Sequence, residues 1–127
     1  MMRGFLLVFL GAGAGGALRH AINLGAMRLL PQAVGAGTLA VNIVGSFAMG
    51  VIVEWLALKS GLSQSVRLFL TTGVLGGFTT FSAFSLEAVL LYERGQLGWA
   101  ALYVLASVVL SIAALFAGLY LVRHLAA

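Results

Sequence analysis

The chain contains no cysteine, one proline and only three acidic residues among 127. Without cysteine there is no disulfide framework and no thiolate metal site, and redox chemistry says nothing about the compartment. The single proline, Pro31, marks one place where a helix cannot continue, in the stretch LLPQAVG. No basic tract exists either. Arg3, Arg19, Arg28, Lys59, Arg67, Arg94 and Arg123 are scattered, so the formal charge of +4 does not point to nucleic acid. His20 and His124 lack partners at metal-ligand spacing. Glu54 and Glu87 fall on different apolar segments with no evident relay companion, which argues against an enzyme.

What remains is apolar. Hydrophobic residues make up 62% of the chain and charged ones 8%, with a mean hydropathy of +1.14. A soluble domain this small could not hide so much apolar surface, so the chain belongs in a lipid bilayer. Its charged positions divide it into four stretches, each near the ~20 residues a spanning helix needs. One integral membrane domain over 1–127 is expected, all-α, with spans at about 4–27, 34–58, 66–92 and 97–122. MMRGFLLVFLGAGAGGA could pass for a cleaved leader, but it is Gly-rich, Arg19 follows it, and cleavage would leave an odd number of spans. With the N-terminus inside, Arg3, Lys59, Arg67 and Arg123 lie on the cytoplasmic side against Arg28 and Arg94 opposite. So weak a bias lets both orientations coexist.

The third span is expected to be irregular. As one helix at ~1.5 Å per residue it would reach about 40 Å, beyond a ~30 Å hydrocarbon core, so it must tilt or break. Gly73, Gly76 and Gly77, followed by Thr79 and Thr80, put the break at GGFTTFSAFS, near 76–80. Two readings stand. Either the freed carbonyls form a site for a bound species, or the two threonine hydroxyls satisfy them in a simple kink.

Polar residues recur at helical spacing elsewhere. Thr38, Asn42, Gly45, Ser46, Met49 and Gly50 share one face of span 2, with Asn42 the costliest to leave unpaired in lipid. Gly11 and Gly15 make a GxxxG contact in span 1, continued by Arg19, whose guanidinium needs water or a partner. Tyr103, Ser107 and Ser111 align three hydroxyls on span 4. In span 3 Phe81, Phe84 and Ser85 share a face beside Ser82, so ring edges alternate with neutral donors, a surface able to handle an anion.

With GTLAVNIVGS in span 2, RLFLTTGVLGGFTTFSAFSLE in span 3 and the Tyr-Ser-Ser line in span 4, nearly the whole chain resembles the CrcB/Fluc family of fluoride channels. The resemblance implies an antiparallel, dual-topology homodimer with the third helix broken at its centre, sitting multi-pass in the inner (plasma) membrane. It implies two fluoride pathways that let the ion leave the cytoplasm passively. Phe81 and Phe84 would then be ring edges, Asn42 a neighbouring donor, and Ser82 and Ser85 the polar approach. Tyr103, Ser107 and Ser111 would continue the track, with Arg19 toward a water-filled end. It further implies one central Na+, held by the backbone carbonyls of Gly76 and Thr79 from both copies. Relatives commonly carry a hydroxyl where Ala83 stands, and often another where Leu115 stands. Two other classes fit the residues less well. A small four-helix drug or cation exporter needs an acidic residue deep in span 1, which has none. A non-transporting membrane scaffold would leave the polar lines unexplained.

Overall fold

The computed structural model describes residues 1–59, 61 and 63–126. Its elements are α1 (Met2–Leu29), α2 (Ala36–Leu58), α3 (Gln64–Arg67), a π-helical segment (Leu68–Leu75), α4 (Gly76–Phe78), α5 (Phe81–Glu93) and α6 (Leu97–Ala126). Among the described residues four spans are long and apolar enough to cross a membrane, the third being Gln64–Glu93 taken as a whole. The chain is a multi-pass, all-helical membrane protein. Ser60 and Leu62 of the expected second loop lie outside the described residues.

Local chemistry accounts for the ends. α1 stops just before Pro31, and Gly35, at φ 81°, supplies the left-handed turn into α2. Ser63 caps α3, its hydroxyl accepting from Val66 N–H at 3.3 Å.

Large apolar side chains cover the outside: Phe9 is 75% exposed and Phe116 66%, whereas Val41 alone among the described large side chains is fully enclosed. Lipid gives no hydrophobic reason for such helices to associate, so close packing and interhelical hydrogen bonds must hold them together. α1 packs along the π-helical segment and α4, while α2 packs along α6. Both contacts run through glycine. A Cβ on Gly15 would strike the Val74 carbonyl oxygen, and one on Gly50 the Leu115 carbonyl oxygen. Gly13, on the same helix as Gly15, faces open space. Gly15→Ala is therefore expected to cost about 1–3 kcal/mol by overpacking, while Gly13→Ala leaves stability unchanged or slightly raised. Thermal unfolding of both variants in detergent checks this, and equal midpoints would contradict it.

The third span breaks, but not at its glycines. Gly76 and Gly77 stay helical, and extended backbone is confined to Thr79 (φ −85°, ψ 159°) and Thr80 (φ −152°, ψ 119°). Gly77 is needed for contact instead, since a Cβ there would enter the Ala12 backbone. Length did not compel the break either. α6 has 30 residues, as many as the third span, and runs unbroken. The third span also contains eight residues of π-helix, a wider and shorter winding that often accompanies functional sites.

Candidate functional site

Four side-chain hydrogen bonds of 3.1 Å or less hold the break. Thr79 Oγ1 donates back to the Leu75 carbonyl at 2.9 Å, and Thr80 Oγ1 caps α5 by accepting from Ala83 N–H at 3.1 Å. The other two span both backbone groups of Thr80. Asn42 Oδ1 accepts from Thr80 N–H at 2.8 Å while Asn42 Nδ2 donates to the Thr80 carbonyl at 3.0 Å. A carboxamide is suited to this task, offering one acceptor and one donor side by side, and it leaves one Asn42 N–H over. Arg19 Nη1 lies 3.5 Å from the Thr79 carbonyl, so the guanidinium finds a partner inside the protein. The threonine-kink reading thus holds for Thr79 Oγ1 alone; α1 and α2 supply partners for the carbonyls of Thr79 and Thr80.

Beside the break is a cavity of about 460 Å³ between α2, α5 and α6. Asn42, Phe81, Phe84, Ser107 and Ser111 all line it, so three of the expected polar lines converge there. Ser107 is the most telling member. It is 6% exposed, and its Oγ has no hydrogen-bond partner, although a helical serine can usually back-bond to its own helix. Ser82 and Ser85 are not on this wall. Ser85 Oγ donates to the Phe81 carbonyl at 2.9 Å, and Ser82 sits 3.3 Å from Thr80 Oγ1. Gly76 is exposed and also outside the cavity, whereas Thr79 lines it.

Tyr103 adjoins the cavity through Phe84. The two rings lie 5.4 Å apart, and Phe84 is 5.3 Å from Phe81, giving a row of three tilted aromatics. Tyr103 donates to Glu87 Oε1 at 3.2 Å. Glu87 therefore does have a companion, as does Glu54, which pairs with Arg123 Nε at 3.1 Å.

Two further cavities extend the first along α2. One of about 610 Å³, lined by Gly35, Leu39, Arg94 and Tyr103, lies toward the N-terminal end of α2. Another of about 360 Å³, lined by Met49, Leu56, Arg67 and Thr71, lies toward its C-terminal end. The Phe84–Tyr103 ring pair stands between the first cavity and the N-terminal one, and Met49 lines both the first and the C-terminal one. From Gly35 to Leu56 at ~1.5 Å per residue is about 32 Å, close to the ~30 Å of a hydrocarbon core. Sequence reasoning put Ser46 and Met49 on the polar face of α2 without assigning them to the site, although both line its wall and their i+4 and i+7 spacing from Asn42 shows it. For Thr80 the sequence suggests a helix breaker whose hydroxyl takes a freed carbonyl, not a backbone held by Asn42. Its backbone role carries no local signal, because it depends on a partner 38 residues away.

Comparison with known proteins bears on the family of the chain. The family model described as CrcB-like protein, Camphor Resistance (CrcB), matches residues 6–119. A protein of Granulibacter bethesdensis named fluoride-specific ion channel FluC is 60% identical over 124 residues, covering 98% of both chains. Proteins of the same name from Rhodopseudomonas palustris and Methylobacterium nodulans are 60% and 58% identical, each over 94% of this chain and 96% and 95% of their own. Matched by the family model over residues 6–119 and by relatives along nearly its full length, the chain belongs to the CrcB-like family.

Proposed function

We propose that the chain is a passive, fluoride-selective ion channel of the inner (plasma) membrane that lets fluoride leave the cytoplasm. The observation that carries this reading is the run of three cavities along α2, whose middle chamber holds a buried, unpartnered Ser107 hydroxyl among ring edges and neutral donors. Such a chamber suits a small, strongly hydrated anion: Asn42, Ser107 and Ser111 offer hydrogen bonds, and the positive edges of Phe81 and Phe84 add attraction without a charge that would trap the ion. The names of the relatives supply the ion. Ser82 and Ser85 fall to the approach, Tyr103 to the aromatic partition, and Arg19 to the wall of the break.

The working unit in this reading is an antiparallel homodimer of dual topology with two pathways. Phe81 supports it, being 76% exposed in the single chain although its ring helps wall the chamber, so that a second copy would complete the wall. A Na+ ion at the dimer centre would be held by the carbonyls of Gly76 and Thr79 from both copies. The donors suit it: these are neutral, hard oxygens, Gly76 is open at the surface, and the Arg19 contact to Thr79 is at the long limit of a hydrogen bond. Bound there, the cation would supply positive charge that links the two broken helices.

Efflux from liposomes holding the purified protein tests the reading. Fluoride is expected to leave at least about a hundredfold faster than chloride, because the donor-lined path would replace the hydration shell of the smaller ion only. Equal rates for the two halides would reject it.

A further inference from the structure

The geometry points to Asn42 as a positioning residue, one that sets the Phe81 and Phe84 rings by clamping the backbone of Thr80, in addition to any contact it makes with the ion. Only the flux arm of this inference rests on the channel reading. Thr80 is the hinge residue of the third span. It is the last extended residue before α5, its hydroxyl caps that helix at Ala83, and Phe81 follows it directly. Whatever fixes the Thr80 peptide groups therefore fixes where α5 begins and how its first turn faces. Phe81 and Phe84 both belong to that turn, and Phe84 is held in turn by Tyr103.

Asn42 is the residue that fixes them. Its two bonds to Thr80, at 2.8 and 3.0 Å, take the N–H and the C=O of one residue together, so the amide reproduces the paired contact of neighbouring strands at a break that has no strand. Unmet, each of these backbone groups would lie beside lipid or in a half-dry chamber, where an unpaired polar group is costly. The amide is also oriented by the clamp. With Oδ1 committed to Thr80 N–H, its carbonyl cannot swing toward a passing anion, and the remaining N–H is the group free to serve the chamber.

The test reads ring position without fluoride. The protein is prepared with 4-fluorophenylalanine at 81, and separately at 84, and its 19F spectrum is recorded in fluoride-free bilayer nanodiscs. Asn42→Ala and Asn42→Asp are expected to shift or broaden both ring resonances, because the first removes both bonds and the second sets a carboxylate oxygen against the Thr80 carbonyl. Val44→Ala, on the 53% exposed lipid side of α2, is expected to move neither. Fluoride efflux should fall about tenfold or more in the two Asn42 variants, the scale of losing one buried hydrogen bond. A subtler variant keeps every side chain: the α-hydroxy-acid analogue of Thr80 replaces its N–H with an ester oxygen, and should shift the same resonances. Combined with Asn42→Ala it should add little further change. Unmoved resonances in Asn42→Ala would overturn the inference whatever happens to flux; if that protein does not fold, unmoved resonances in the ester variant would do so. Failure of the fluoride reading would show separately, as normal ring displacement with no fluoride flux in the unaltered protein.

Discussion

Replacing Phe84 with isoleucine is expected to cut fluoride efflux by about a hundredfold, which is close to 3 kcal/mol on the barrier, while leaving a folded protein. Isoleucine keeps the apolar bulk, so the chamber is not emptied, but it has no ring and hence no positive edge. On the proposed channel reading, an ion that sheds part of its water in a low-dielectric chamber would then lose one of the few groups that compensate it. The site is sensitive for a second reason. Phe84 is 8% exposed and lies between Phe81 and Tyr103, so its loss also opens the aromatic partition between two cavities. Phe81→Ile separates these effects. Phe81 is mostly exposed in the single chain, so its replacement disturbs little packing within it, and a comparable fall in efflux would report on the path rather than on folding. Unchanged efflux in both variants, with the elution volume on size-exclusion chromatography the same as for the unaltered protein, would return the rings to a packing role.

The parts of this architecture that show in the sequence are those set by local composition. Four apolar stretches are readable because lipid demands them, and the cap at Ser63 and the stop before Pro31 are readable because single residues dictate them. The break was legible to within a few residues, though its cause was misread. Glycine in a lipid-bound helix is ambiguous between bending and close approach, and here Gly15 and Gly77 serve approach while two β-branched threonines take the extended backbone. The π-helical winding of Leu68–Leu75 has no comparable local signal. Pairings across the bundle were the least legible. Asn42 with Thr80, Arg19 with Thr79 and Tyr103 with Glu87 each join residues on different spans, and helical spacing shows which residues share a face without saying what that face meets. Ser85 shows the converse: it shares a face with Phe81, yet its hydroxyl returns to the Phe81 carbonyl.

Withholding Na+ is expected to lower fluoride efflux at least about tenfold, by removing a ligand that favours the assembled state, and restoring it should recover the rate. The argument starts from the break. The first half of the third span ends at Phe78, where a helix leaves carbonyls without partners and carries the negative end of its dipole. Two such ends brought together by an antiparallel pair would repel one another. A monovalent cation is the simplest remedy that neutral oxygens can hold, and the carbonyls of Gly76 and Thr79 lie within this turn. Arg19 makes the case sharper, because its guanidinium already rests near the Thr79 carbonyl of its own chain. It relieves part of the same negative charge, so Arg19→Gln should make the protein depend more strongly on Na+, and the concentration giving half-maximal efflux should fall as the competing cation is removed. Protein purified and assayed in N-methylglucamine salts, then titrated with NaCl, provides the measurement. If efflux is the same in both salts for the unaltered protein, the Na+ proposal fails, and Arg19 becomes the cation that settles the broken helix ends.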